Sequence, residues 1–591
     1  MDSQGAARGQ TATNANAAVA WLDAVNQKNR HDPGLVLDAT PYPWLRTAQR
    51  RALGLPSWDC SILDGPPGTG KTTTLGVILA SFLRACPNAR VLLLSTTNTA
   101  VDLALLAVDR ALEKLPGSGW SIRQRCKRLG HHFVASHYEK EGRKHLLPTP
   151  DPELVRKLAD LESRRPDPQD VVAYSQWKRE LDLLRARLRV NVAATLRDSR
   201  LAALTACAAT FWTPALHEIA PFDLVVFDEA SQVGLAYALA LATFGRRCLF
   251  AGDPAQLAPI VQSEHKQPKK WLGRSVFDEI VTGSQTDGSP RVFLDEQSRM
   301  HEEICDFVSR LFYAGRLRVA DRERSDGKWR AHRTLHHARP ELMNHVQVLS
   351  TRATSTWSQK YRGPIRYESA KLVEETVADL LKADSPDSIL VLTPFRAQRT
   401  LLRAMLRERC KGVTVSTVHR AQGSERRSLV FDPVDGTSDF LLGDTARRLI
   451  NVALSRAEAR LLVVLSEADR QNPLFAGTWF QPVSPSPAGS RHPHAAGALS
   501  TPERSTSQAE PIDSYLQRAD FPRCLRGIRV RFRDFEGLVT DVTRDQITIE
   551  NDQGATRTYH ADFIRAMSQR PPGTPGRAIK GSGGPVLRRR R

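Results

Sequence analysis

The segment Gly65-Pro-Pro-Gly-Thr-Gly70-Lys71-Thr72 constrains this chain more than any other. It follows a short apolar stretch, Ser61–Leu63, and opens a helical pattern, Thr73–Leu83. A GxxxxGK[ST] loop in that setting has a specific physical use. Its glycines let backbone N–H groups turn inward around phosphate oxygens, and the helix N-terminus adds partial positive charge. Lys71 can then reach the β- and γ-phosphates, and the Thr72 hydroxyl can ligate Mg²⁺. The expected nucleotide-binding residues are therefore Gly65, Pro66, Pro67, Gly68, Thr69, Gly70, Lys71, Thr72 and Thr73, with ATP and Mg²⁺ as cofactors.

A second chemical signal lies downstream. Asp228 and Glu229 end the apolar run Leu224–Phe227. Adjacent carboxylates at a strand's C-terminal end suit two tasks: Asp228 holds Mg²⁺ through water, and Glu229 polarises the attacking water as general base. The runs Ser61–Leu63, Val91–Leu94, Leu224–Phe227 and Cys248–Phe250 are apolar on both faces, as in a parallel α/β sheet. A second series comprises Val292–Leu294, Val346–Leu349, Ile389–Leu392, Val413–Val418, Ser428–Phe431 and Leu461–Leu465. Two α/β domains in tandem are expected, at residues 45–285 and 286–470, after an N-terminal segment, 1–44, that carries a short helix at Ala17–Val25.

Between the strands of the first domain lies an insertion at about 120–204, charged and helical from Asp151 to about Leu204. Leu154, Leu158 and Leu161 share one face, and Trp177, Leu181, Leu184 and Leu188 another, with a break at Arg165–Pro168. This predicts a helical hairpin; Arg179, Arg185, Arg187 and Arg189 could make it an arm along a nucleic-acid backbone. A linker, 471–512, is rich in Pro, Ser, Ala and Gly from Pro482 to Glu510. Beyond it the pattern turns to period two: Ile528, Val530 and Phe532 alternate with Arg529, Arg531 and Arg533. Residues 513–570 are expected to form a small SH3-like β-barrel that binds a strand backbone or docks a protein, ahead of a basic tail, 571–591.

Composition narrows the partners. Across 591 residues, Lys+Arg minus Asp+Glu is 84 − 64 = +20, which favours an anionic partner. The longest nearly apolar run, Val233–Phe244, is too short to span a bilayer and reads as a buried helix. Met1–Arg30 has no continuous apolar core of the secretory kind. The eight cysteines contain no CxxC pair, which argues against a disulfide framework or zinc ribbon, and Cys126, His131, His132 and His137 fit no standard metal spacing. A cytoplasmic location follows as the expectation.

The phosphate loop alone does not choose between ATPase families. The surrounding motifs do: Ser95-Thr-Thr-Asn98-Thr-Ala100-Val-Asp102, Asp228-Glu229-Ala-Ser-Gln232, Gly252-Asp253-Pro-Ala-Gln256, Gln297-Ser-Arg299-Met-His301, Thr393-Pro-Phe-Arg396-Ala-Gln398, Gln422-Gly423-Ser-Glu425 and Asn451-Val-Ala-Leu-Ser-Arg456. In this order, over about residues 45–470, the chain resembles the superfamily 1B helicases, in the branch of the nonsense-mediated-decay RNA helicases and related DNA helicases. The resemblance implies two RecA-like domains and a set of roles. Gln49 reads adenine, Gln256 senses the γ-phosphate, and Arg299 and Arg456 reach across the cleft to the transferring phosphoryl group. Glu425 approaches the ribose. Asn98, Ala100 and Asp102, with Thr393, Pro394, Gln398 and His419, grip single-stranded DNA or RNA. Two departures stand out: Ser298 replaces the usual Tyr near the base, and Ala421 replaces an aromatic before Gln422-Gly423. Only 44 residues precede Leu45, fewer than the upstream β-barrel of larger family members needs.

The expected function is an ATP-driven helicase or translocase on single-stranded nucleic acid. The alternatives are an ATPase that remodels nucleic-acid complexes without separating strands, and an ATP-switched binding protein. No carboxylate cluster with a lysine outside the ATPase motifs suggests a nuclease. The residues leave DNA against RNA, and polarity, open.

Overall fold

The apolar runs lack polar alternation because they become interior strands. The computed structural model describes residues 29–476, apart from 116, 118, 131–132, 141, 149–151, 168–169, 264, 280–288, 338–339 and 422, and the C-terminal stretches 510–511, 529–532, 535–542, 546–550 and 556–560. The expected helix at Ala17–Val25, the linker and the basic tail lie outside these residues. The chain divides into two compact units, 1–486 and 487–591.

In the first unit, seven strands form one sheet: β1 Cys60–Asp64, β2 Val91–Ser95, β3 Cys126–Arg128, β4 Leu201–Thr205, β5 Leu224–Phe227, β6 Cys248–Gly252 and β7 Arg291–Phe293. Their order is β3-β4-β2-β5-β6-β1-β7, and every pairing is parallel. Alternate residues feed two cores. Leu63, Leu93 and Val226 pack on one face with Phe82 and Leu105, while Ile62, Leu92 and Val225 pack on the other with Phe222 and Ala238. Full burial on both faces accounts for the unbroken apolar runs.

Two expectations change here, and one strand is new. Val292–Leu294, assigned to the second series, belongs to the first sheet: β7 pairs with the outer edge of β1, and Arg291 Nε bonds Asp64 Oδ2 at 2.6 Å. Leu201–Thr205, expected as the end of a helix, is a strand that covers the edge of β2. Cys126–Arg128 adds a further edge strand with no sequence forecast. Short apolar runs have no periodicity that separates strand from helix, so pairing partners decide. The helical hairpin does form, from Pro152–Ser163 and Val171–Asp198. Its turn is held by Trp177 Nε1 donating to the Leu161 carbonyl at 2.7 Å and by Arg165 over the Tyr174 ring at 5.9 Å.

The second α/β domain begins with a two-stranded parallel ladder, β8 Glu296–Gln297 and β9 Arg318–Val319. Then come β10 Val346–Thr351 and an antiparallel hairpin, β11 Thr356–Ser358 and β12 Gly363–Ile365. The remaining strands are β13 Ile389–Thr393, β14 Thr414–Thr417, β15 Arg426–Phe431 and β16 Ala457–Ser466. The sheet runs β10-β16-β15-β13-β14, all parallel. Behind it, Arg366 pairs with Asp432 at 3.0 Å and with Asp469 at 2.5 Å in full burial.

The C-terminal unit contains β17 Glu510–Pro511, β18 Arg529–Phe532, β19 Phe535–Val542, β20 Gln546–Glu550 and β21 Thr556–His560. The strands follow the period-two forecast, and Val539, Ile547 and Ile549 are buried. The order β17-β18-β19-β20-β21 is an open ladder. Closure needs the first and last strands to pair, and among the described residues they do not. The expected closed barrel is thus observed as a five-stranded sheet, and Arg533 lies outside the described residues.

Candidate nucleotide site

β1, β6 and β5 lie side by side, so their C-terminal ends deliver three loops to one place, as in other open parallel sheets. They are the glycine-rich loop after β1, Asp228-Glu229 after β5 and Asp253–Gln256 after β6. Gly68 and Gly70 take φ of 74° and 75°, the left-handed region that glycine tolerates. A Cβ on Gly65 would sit 2.5 Å from Lys71 Cβ, and one on Gly68 would sit 2.6 Å from Arg299 Cβ. The loop therefore folds under its own lysine and directly against the second domain. Gly65, Pro66, Pro67 and Thr69 are buried, Thr72 is half-buried, and Thr73 is exposed at the helix start.

Lys71 Nζ lies 2.6 Å from Glu229 Oε1 and 3.4 Å from Asp228 Oδ1. Burial alone would depress the ammonium, but Glu229 and Asp228 outweigh it and hold it above its ordinary value. The carboxylates divide. Burial raises Asp228, whereas close contact with Lys71 overcomes burial at Glu229 and keeps it ionised. Glu229 also accepts from Gln232 Nε2 at 3.2 Å and adopts φ 53°, unusual for a residue with a side chain. The Thr72 hydroxyl and the Asp228 carboxylate offer the hard oxygen donors that suit Mg²⁺.

Gln49 is buried. Its Nε2 donates to the Thr69 carbonyl at 3.1 Å, and its Oε1 accepts from Arg46 N at 3.0 Å. Beside it a cavity of about 470 Å³ is lined by Trp44, Gln49, Gly70, Thr73, Ser298 and Arg322. Ser298 explains its own smallness: its N–H and hydroxyl both donate to the Gly68 carbonyl, at 3.0 and 3.3 Å. Ala421 is buried in the core of the second domain.

The second domain supplies the opposing charges. Arg299 pairs with Glu425 and donates from Nη1 to the Ser455 carbonyl at 3.3 Å. Arg456 is almost fully buried; its Nε donates to the Val452 carbonyl at 3.0 Å and its Nη2 to Gln256 Oε1 at 3.4 Å. Burial and the neighbouring Arg299 push its guanidinium down to about 10. Gln256 Nε2 donates to Asp253 Oδ2 at 2.7 Å. Tyr313 and Asn451 complete this junction. Tyr313 carried no forecast, because a tyrosine closing an amphipathic helix reads as core.

The proposed strand contacts separate into two groups. Asn98 and Ala100 are half-buried and His419 is exposed. Asp102 is fully buried and accepts from Arg128 Nε at 2.7 Å, Tyr138 OH at 2.8 Å and Val134 N at 2.8 Å. Gln398 is fully buried between Arg366 N at 3.0 Å and Asp432 Oδ2 at 2.8 Å. Thr393 and Pro394 are buried at the end of β13. The side chains of Asp102, Thr393 and Gln398 therefore face the protein interior, which corrects their expected contact with a strand. They lock the elements that carry their neighbours.

Of the weak metal cluster, Cys126 is buried in β3, while His131 and His132 lie outside the described residues. His301, Glu303 and His345 come within 4.8 Å of one another, yet the two imidazoles stack face to face at 3.3 Å. Stacking at an interplanar angle of 9° keeps the nitrogen lone pairs of the two rings in separate, nearly parallel planes.

Two AAA domain families match the chain, one over residues 45–150 and 175–264 and the other over 272–468. An uncharacterized ATP-dependent helicase of Methanocaldococcus jannaschii is 26% identical over 457 residues, 70% of this chain and 66% of that protein. The DNA polymerase alpha-associated DNA helicase A of Schizosaccharomyces pombe is 27% identical, over 71% of this chain and 63% of that one. The DNA replication ATP-dependent helicase/nuclease DNA2 of Mus musculus is 27% identical, over 74% and 38%. The chain thus spans less than two thirds of the length of these relatives. The arterivirus nonstructural protein 10 helicase in complex with DNA overlaps 73% of this chain at 12% identity, with a TM-score of only 0.34. The loop geometry and the two matched AAA domain families together identify the class: the chain is a P-loop protein of two AAA domains, related to ATP-dependent helicases.

Proposed function

We propose that the chain is an ATP-driven translocase or helicase of the superfamily 1B kind, moving on single-stranded DNA or RNA. One observation carries this reading. Lys71 is tied to Glu229 at 2.6 Å while Gln256 and Arg456 meet across the two domains at 3.4 Å. The site is built to be rearranged by a polyanion. When the phosphates of ATP take Lys71, Glu229 loses the charge that holds it a weak base, and it becomes free to accept a proton from water. The same phosphates compete with Glu425 for Arg299. Binding would thus draw the arginines of the second domain onto the first. Thr72 and Asp228 would hold Mg²⁺, which supplies charge neutralisation at the phosphates. Gln49 would read the base in the adjoining cavity.

Closure of one domain on the other, reversed by hydrolysis, gives stepwise motion if the grip on the strand alternates. Asn98, Ala100 and His419 are the surface candidates for that grip. The helical hairpin and the C-terminal sheet, with Arg529 and Arg531 on β18, would add backbone or protein contacts. Among the described residues no helix is long and apolar enough to cross a membrane, and a cytoplasmic site of action is part of this proposal. The test is ATP turnover with single-stranded DNA, single-stranded RNA and their duplexes, followed by unwinding of substrates tailed at either end. Stimulation by one single strand and unwinding in one polarity are expected. Stimulation without unwinding assigns the chain to the remodelling ATPases, and no stimulation by any strand refutes the translocase reading.

A further inference from the structure

Five buried or half-buried side chains close a circuit across the cleft. Gln256 Nε2 donates to Asp253 Oδ2 at 2.7 Å. The same oxygen accepts from Tyr313 OH at 2.6 Å. Asn451 Nδ2 donates to the Tyr313 oxygen and to the Ala255 carbonyl, each at 2.8 Å. Asn451 lies in the helix Asp444–Leu454, and Arg456, two residues beyond its end, returns to Gln256 Oε1 at 3.4 Å. Asp253, Gln256 and Ala255 belong to the loop after β6. Tyr313, Asn451 and Arg456 belong to the second domain.

The geometry matters because the Gln256 side chain is held within this circuit. Its amide nitrogen is set by Asp253, and its oxygen meets Arg456. Asp253 in turn is a buried carboxylate whose Oδ2 is shared between Gln256 and Tyr313. The phenol, held by Asn451, thus ties the carrier of Gln256 to the helix leading to Arg456 beside the direct Asn451–Ala255 bond and independently of the Gln256–Arg456 contact itself. A shift of that helix must move Tyr313, and through Asp253 it must move Gln256. Three links, Tyr313 to Asp253, Asn451 to Ala255 and Arg456 to Gln256, make the coupling geometric, since none can slide without straining the others.

We propose that Tyr313 is a positioning residue for ATP turnover: it transmits movement of the second domain to Gln256 through Asp253. This rests on Gln256 reading the γ-phosphate, and the experiment keeps the two apart. Tyr313→Phe in the full chain removes only the phenolic oxygen. ATP turnover is measured with and without the single strand that stimulates it, alongside thermal melting. Expected are a KM for ATP within about twofold of wild type and a stimulated kcat reduced at least tenfold. Asn451→Ala, which cuts the circuit on its far side, should give a similar kcat loss. The double variant should be no slower than the worse single one. A group that only supports folding would lower the melting temperature and show additive losses with no split between KM and kcat.

Stimulated kcat within twofold of wild type in a folded Tyr313→Phe protein overturns the proposal, as does an additive double variant. If Tyr313→Phe does not melt cooperatively, Asn451→Ala alone carries the test by the same criterion. Gln256→Ala serves as the reference. If it leaves turnover unchanged, the sensor role of Gln256 fails, and the proposal fails with it for that identifiable reason.

Discussion

Replacing Glu229 by Gln separates binding from chemistry at this site, and the structure sets both magnitudes. The carboxylate touches Lys71 at 2.6 Å, accepts from Gln232 at 3.2 Å, and leaves about a quarter of its side-chain surface open to incoming water (28%). An amide of the same shape keeps the packing but cannot take a proton. Loss of a positioned general base costs about 10²–10⁴ in rate, or roughly 3–5 kcal/mol in the barrier. Binding should move the other way. In the wild type, incoming phosphates must displace a charged partner from Lys71, and a hydrogen bond to a charged group is worth about 1.5–3 kcal/mol. With Gln, the amide oxygen still accepts from Lys71 but carries no charge, and Asp228 at 3.4 Å remains the charged partner of the ammonium. ATP affinity should therefore be retained or rise by up to about tenfold. Titration of a fluorescent ATP analogue gives the first quantity, and single-turnover phosphate release gives the second. Turnover within threefold of wild type would refute the role of Glu229. Equal losses of affinity and rate would show that Glu229 serves to hold Lys71 rather than to activate water.

Three further outcomes follow from the same contacts. Burial pushes Asp253 up to about 6 against the hydrogen bonds from Tyr313 and Gln256; the ionised form holds these two donors and the Ala255 N–H more strongly than the neutral acid does, so kcat should fall as pH drops through about 6, and Asp253→Asn should abolish that limb of the pH–rate profile. Asp102→Ala leaves the fully buried Arg128 guanidinium without its carboxylate, which should lower unfolding free energy by about 3–5 kcal/mol in a denaturant titration; an unchanged midpoint with weakened strand binding would restore Asp102 to the strand contacts. Gln49→Ala should weaken ATP by about tenfold while leaving GTP unaffected, read by competition binding, since the amide sits at the wall of the cavity beside the phosphate loop.

The phosphate loop, Asp228 and Glu229 were legible in the sequence because their chemistry is local. Gly65 to Thr72 lie on one turn, and the two carboxylates end one strand, so spacing alone brings the right atoms together. The helical hairpin and the C-terminal strands were legible for the same reason, through period and turn residues. What tertiary structure decided is everything that joins distant stretches. Lys71 meets Glu229 across 158 residues, Arg456 meets Gln256 across 200, and Tyr313 meets Asp253 across 60. β7 and β4 became strands of the first sheet because open edges were there to receive them. Asp102 and Gln398 stand in motifs that suggested a surface, yet each was drawn inside by an arginine on another element, the Arg128 guanidinium and the Arg366 backbone. A polar residue has the same sequence signature exposed or buried. Only the return of the chain, with its partner and its exclusion of water, settles which state has the lower free energy.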